Sequence, residues 1–170
     1  EPGVSLPSER LAALKNFKKA GFYCGMYLMP TIPYVTDTPD KIEDCFRKAS
    51  QIDLDFLVYA GLTLKSGRQK DFFYNFLRQH YPDLIDQYDD LYQSSNKWGA
   101  PNKDYIKSYS RFLIDLSHKY DIPLRLPVDL VSDYLSLKDQ VIATLEQMDY
   151  LRKMSGQKST FSWAANNLSK

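Results

Sequence analysis

Leu11, Leu14, Phe17 and Ala20 recur at helical spacing, so the chain opens with a helix. Ser5 is placed to cap it, with Pro7, Ser8 and Glu9 in its first turn, and Gly21 stops it. The run from Phe22 to Met29 is aromatic and apolar without alternation, the mark of a buried strand. Pro30-Thr31-Ile32-Pro33 reads as a loop, because two prolines do not fit a paired central strand. Thr38 and Pro39 begin a second helix whose inner stripe is Ile42, Cys45, Phe46 and Ala49. Residues 55–59 form a second short apolar strand, and Gly61 and Gly67 bracket the loop after it. Helix, strand, helix, strand predicts parallel strands with right-handed helical crossovers.

From Gln69 the pattern turns helical. Phe72, Phe73, Phe76 and Leu77 line one helix ending near Pro82, and Leu84, Ile85, Tyr88 and Leu91 suit another. Residues 94–101 form a polar loop, and Tyr105, Ile106, Tyr109, Phe112, Leu113 and Leu116 mark a further helix. Residues 122–126 are apolar and flanked by prolines, which suits an edge strand or an extended link. Val141, Ile142, Leu145, Met148 and Leu151 give a long last helix stopped by Gly156, and the polar tail is a short helix or frayed. This places a strand-bearing unit at 1–68 and a helical extension at 69–170.

Composition narrows the classes. The chain has 170 residues, 44% hydrophobic and 25% charged, the balance of about one globular domain. A net charge of +1 excludes a strongly basic nucleic-acid binder. No apolar run reaches membrane-spanning length, and the first residues do not read as a signal peptide. The first residue is Glu1 rather than Met, so the chain is expected to begin inside a longer protein. Cys24 and Cys45 are too few for a disulfide framework and are expected reduced, in the cytoplasm. His80 and His118 lack ligand spacing with either cysteine, and no glycine-rich phosphate loop is present.

Four strings carry a resemblance: Glu1-Pro2-Gly3 with Pro7-Ser8-Glu9-Arg10-Leu11 and Ala20-Gly21; Met29-Pro30-Thr31-Ile32-Pro33 with Thr36-Asp37; Ala60-Gly61-Leu62-Thr63-Leu64; and Arg68, Phe72 and His80-Tyr81-Pro82. In this order they resemble the second half of radical SAM enzymes of the spore photoproduct lyase type and their "DNA repair photolyase" relatives. The resemblance covers about half the chain. It implies an α/β fold, a partial (half) barrel of parallel strands like half a TIM barrel, with a helix-rich C-terminal region and ligands at the strand ends. It also implies reductive cleavage of S-adenosylmethionine at a [4Fe-4S] cluster, giving a 5′-deoxyadenosyl radical that acts on a substrate, nucleic acid in the DNA repair lyases. The cluster cysteines belong to a preceding half of the barrel, so the cluster is not expected in this chain, which alone is expected to be inactive. The missing half is then the expected partner. Strand edges left open without it predict self-association.

On this resemblance the cofactor-binding candidates are Glu1, Pro30, Thr31, Ile32, Tyr59, Ala60, Gly61 and Leu62. Glu1 would accept hydrogen bonds from a ribose or an ammonium group, unless it is only a terminal residue. Pro30, Thr31 and Ile32 would present backbone to an adenine edge, or would simply turn the chain. Small residues at Ala60 and Gly61 let backbone approach a flat ligand. For substrate, Arg125 between prolines would reach a phosphate, and Lys103, Lys107 and Arg111 recur at i, i+4 and i+8 as a phosphate-facing strip or a solvated face. Asp37 reads as a helix cap and Arg10 as a solvated helix residue. The rival reading is a non-enzymatic interaction module built of aromatic-rich helices; the 13 tyrosines and 9 phenylalanines mostly fall at core spacing.

Overall fold

A computed structural model describes residues 3–93 and 97–170. Helix α1 (Pro7–Lys19) begins as its composition asks, with proline in the first turn. Its cap is not Ser5, however. Leu6 stands at the boundary, and the Glu9 carboxylate accepts its backbone N–H at 2.7 Å. Strand β1 (Gly25–Thr31) leads to α2 (Pro39–Ser50), then to β2 (Phe56–Gly61). The rest is helical: α3 (Arg68–His80), α4 (Ile85–Tyr92), α5 (Lys103–Tyr120), α6 (Leu137–Met154) and α7 (Phe161–Leu168), with 3-10 turns at Pro82–Leu84 and Asp129–Tyr134.

The strands pair in parallel, Gly25 opposite Phe56 and Leu28 opposite Tyr59, with an irregularity before Thr31 meets Gly61. Parallel pairing with a helical crossover is what the alternating pattern predicts. Pro30 corrects the expected loop, because it lies within β1. An edge strand tolerates a residue with no N–H, and the register breaks there.

The half barrel is not formed. The described sheet has two strands, and helices make up most of the chain. A barrel needs a run of strands that curves and staggers toward closure, and two strands cannot supply it. The third apolar segment, 122–126, stays an extended link. It reaches β2 through one backbone bond, from the Leu57 N–H to the Pro123 carbonyl at 2.8 Å. Pro123 and Pro127 have no N–H to extend the ladder.

One face of the sheet carries the main core. Leu57, with half-buried Met26, Leu28 and Tyr59, meets Ile42, Phe46 and Ala49 of α2 and Leu113 and Leu116 of α5. Ile122 and Leu124 seal it. A second core gathers Leu64 with Tyr74, Leu77, Tyr88, Leu91 and Tyr92 from α3 and α4. The other sheet face is thinner. Tyr27 and Met29 are exposed, as are Phe17, Phe22 and Tyr23 beside them in sequence. Among the described residues no helix is long and apolar enough to cross a membrane.

Candidate functional site

The loops that leave the C-terminal ends of both strands are held by phenol hydroxyls. Tyr88 on α4 donates to the Pro33 carbonyl at 2.7 Å, and Tyr92, one turn later, donates to the Leu62 carbonyl at 2.8 Å. Tyr109 on α5 donates to the Asp37 carbonyl at 2.9 Å. Tyr105, one turn earlier, donates to the Asp37 carboxylate. The same carboxylate accepts the Tyr34 N–H at 2.7 Å. Each bond satisfies a backbone or carboxylate group that would otherwise be stranded, and each contributes about 1 kcal/mol net. The pairs Tyr88/Tyr92 and Tyr105/Tyr109 sit at i, i+4, so one helix face delivers two hydroxyls to one loop system.

Asp37 is therefore no helix cap. It is 5% exposed, and Thr38 occupies the cap position of α2 without a side-chain bond. Burial raises the Asp37 carboxyl above the ordinary carboxylate range, against the lowering pull of the Tyr34 and Asp37 N–H groups. Desolvation also lifts the Tyr59 phenol to about 12, and it pushes those of Tyr88, Tyr92 and Tyr109 upward. All four phenols stay neutral at physiological pH.

Beside this network lies a cleft of about 400 Å³. The end of β2 (Tyr59, Ala60, Gly61) forms one wall, α5 (Tyr105, Tyr109, Leu113) a second and α6 (Tyr150, Lys153, Met154) a third. The Tyr59 and Tyr109 rings stack at 5.0 Å, and Tyr105 stacks on Tyr109 at 5.7 Å. The cleft is mostly aromatic and apolar, with hydroxyls and one ammonium at its margin. That is the make-up of a site for a flat organic ligand, and the volume lies in the usual range of roughly 300–1,000 Å³. Lys153 is also paired with Asp149, whose carboxyl it holds down at about 2.

The sequence-expected residues divide accordingly. Tyr59, Ala60 and Gly61 come together in this cleft. Leu62 lies outside it, lining a groove of about 880 Å³ with the start of α3, and its N–H donates to the Thr31 carbonyl at 3.0 Å. Thr31 is buried; its hydroxyl lies near the Tyr59 phenol but has no well-aligned hydrogen bond among the described residues. Ile32 packs against the second core, and Pro30 is exposed on β1. Glu1 lies outside the described residues. Arg125 stacks over the Tyr150 ring at 3.9 Å and lines a separate groove beside Phe56 and Val58. Lys103, Lys107 and Arg111 occupy the exposed face of α5. Arg10 bonds back to the Ser5 carbonyl at 2.9 Å.

Among the described residues no three His, Cys, Asp or Glu side chains come close enough to hold a metal ion. Cys24 is buried in the main core and Cys45 sits on α2, both as free thiols, with burial raising the Cys45 thiol. The tyrosine clamp around Asp37 escaped the sequence reading. Its signal was there in the two i, i+4 tyrosine pairs, but that spacing marks a buried face whether or not the hydroxyls have work to do.

No protein-family model matches the chain, and no solved structure matches it significantly. The chain is similar to uncharacterized proteins of Mycobacterium bovis and Mycobacterium tuberculosis. Each is 26% identical over 93 residues, which is 55% of this chain and 27% of the relative. The chain thus matches about a quarter of the length of these curated relatives.

Proposed function

We propose that this chain is the S-adenosylmethionine-binding portion of a longer radical SAM enzyme, with the Tyr59–Gly61 cleft receiving the adenosyl group. The observation that carries the reading is that cleft. It lies at the C-terminal end of a parallel strand, it is walled by stacked phenol rings, and small Ala60 and Gly61 admit a planar base. The four motifs that resemble spore photoproduct lyases support the same reading, and three of the cleft residues, Ala60, Gly61 and Thr63, belong to one of them. When bound and reductively cleaved, S-adenosylmethionine supplies a carbon-centred radical. This chain's residues would bind the adenosyl group, orient it and keep water from it.

A [4Fe-4S] cluster does not fit the residues described here, since neither cysteine is placed for it. On this proposal the cluster belongs to polypeptide outside the 170 residues, and the chain alone has no turnover. The length of the mycobacterial relatives supports a larger protein. Nucleic acid is the proposed substrate class, with Lys103, Lys107 and Arg111 as the solvent-facing cations available to phosphates.

The test uses the full-length gene product, reconstituted anaerobically with iron and sulfide and given S-adenosylmethionine and a strong reductant. The expected result is 5′-deoxyadenosine, lost on Gly61→Leu while the circular dichroism is kept. Absence of 5′-deoxyadenosine from the reconstituted wild type overturns the reading.

A second reading, an interaction module, is favoured by one observation. Phe22, Tyr23, Tyr27 and Met29 are 59%, 63%, 61% and 52% exposed along an edge strand and its approach. Such a row suits a covering partner, either the remainder of a longer polypeptide or a second copy joined through β1.

A further inference from the structure

The tyrosines around Asp37 form a continuous column of rings. It starts at the cleft with Tyr59, stacked on Tyr109 at 5.0 Å between centroids, and Tyr109 stacks on Tyr105 at 5.7 Å. Tyr105 meets Tyr34 edge-on at 6.1 Å, and Tyr34 meets Tyr88 at 6.0 Å. Tyr88 stacks on Tyr92 at 5.8 Å and meets Tyr74 at 6.5 Å. Packing alone explains a cluster of rings. It does not explain why one member donates its proton to a buried carboxylate.

A phenol is among the easiest side chains to oxidise by one electron, provided its proton can leave at the same time. Inside a protein that requires a basic acceptor already hydrogen-bonded to the hydroxyl. Three hydroxyls of the column fail this condition. Tyr88, Tyr92 and Tyr109 donate to backbone carbonyls, which do not take up a proton. Tyr105 meets it, because its hydroxyl donates to the carboxylate of Asp37. That carboxylate is 5% exposed, and the Tyr34 N–H fixes its other oxygen at 2.7 Å. Among the described residues its partners are hydrogen-bond donors rather than cations, so no fixed positive charge opposes its protonation. Burial further favours the protonated form of Asp37. At the far end Tyr74 faces a second carboxylate, Asp89, which is exposed.

The geometry points to a one-electron relay in which Tyr105, with Asp37 as its proton acceptor, is the resting place of the oxidising equivalent. The oxidant is a one-electron-accepting radical or high-potential metal complex at the cleft. It gains one electron. The Tyr105 O–H bond breaks, its proton forms an O–H bond on Asp37, and a neutral phenoxyl remains. A soluble one-electron reductant, such as a thiolate or ascorbate, meets the Tyr74 end and is itself oxidised by one electron; that electron passes through Tyr88 and Tyr34 to Tyr105, and the proton returns from Asp37. The relay does not depend on which ligand fills the cleft, so it stands or falls separately from the S-adenosylmethionine reading.

The experiment oxidises the 170-residue protein with photogenerated ruthenium(III) tris-bipyridine, using a cobalt(III) ammine as the sacrificial acceptor. The exposed Tyr23, Tyr27 and Tyr134 are replaced by Phe so that surface radicals do not obscure the signal. The expected product is a tyrosyl radical in electron paramagnetic resonance that is lost in Tyr105→Phe. Its lifetime should fall at least tenfold in Asp37→Asn. Equal lifetimes in the parent and both variants overturn the proposal. If Asp37→Asn does not fold, high-field g-anisotropy of the parent radical decides. Values for a hydrogen-bonded phenoxyl support the relay, and values for a free phenoxyl overturn it.

Discussion

Gly25 offers a test of how the sheet face opposite the main core is packed. A Cβ built on Gly25 would lie 2.2 Å from two ring carbons of Phe56 and 2.5 Å from a third, because the outer end of that ring occupies the space beside the glycine. Two effects compete in Gly25→Ala. Alanine suits a strand better than glycine by roughly 0.5–1 kcal/mol. The clash forces the Phe56 ring off its site, and overpacking of this kind costs about 1–3 kcal/mol. Phe56 is 8% exposed and also borders the groove lined by Arg125 and Val131, so its ring has some room to swing. The clash should still prevail, with a net loss of about 1–2 kcal/mol. At roughly 2–4 °C per kcal/mol for a chain of this size, the midpoint should fall by about 2–8 °C. Urea unfolding of wild type, Gly25→Ala, Phe56→Ala and the double variant makes a complete cycle. In the Phe56→Ala background the alanine should become neutral or stabilising. If Gly25→Ala costs the same in both backgrounds, the ring is not what requires glycine there.

Gly99→Ala should be the more damaging substitution. Gly99 sits at φ +70°, its new Cβ would lie 2.2 Å from the Lys65 nitrogen and 2.3 Å from the Leu64 carbonyl carbon, and its carbonyl accepts the Leu64 N–H at 2.7 Å. Backbone cannot swing aside as a ring can, so a loss of about 2–4 kcal/mol is expected in urea unfolding, and a loss below that of Gly25→Ala would contradict this. Asp37 should leave a mark on the pH dependence of stability. Its folded carboxyl lies above its unfolded value, so its contribution is fully present below about pH 3.9, is lost as pH rises through the folded value, and is flat beyond. Asp37→Asn should lack that falling limb, so the wild-type-minus-variant difference in stability, measured by urea midpoints across a pH series, should fall through that window; a difference curve without slope there would show that burial does not raise this carboxyl.

The order of elements was legible in the residues. Helical spacing with a glycine stop marked α1, and the apolar run after it overlaps β1, which begins three residues later and runs on through Pro30 and Thr31. Pro39 after Thr38 marked the start of α2, and the phenylalanines from Phe72 marked α3. These signals are local, set by side-chain period and backbone restriction, so the chain carries them whatever it packs against. The parallel pairing followed from the alternation of helices and strands. The number of strands did not, since the same apolar run serves a strand or an extended link until a partner offers hydrogen bonds. At 122–126 Pro123 within the segment and Pro127 after it cannot donate to a ladder; one backbone bond to β2 is seen among the described residues, and no barrel arc formed there. The site divided in the same way. Ala60 and Gly61, expected just past a strand, instead close β2 and line the cleft, a placement their small size permits locally. The clamp on Asp37 could not be named in advance, because Tyr105 and Tyr109 lie about seventy residues away along the chain. Periodicity says that a tyrosine faces inward. Which carbonyl or carboxylate its hydroxyl meets is decided only when α4 and α5 close over the strand ends.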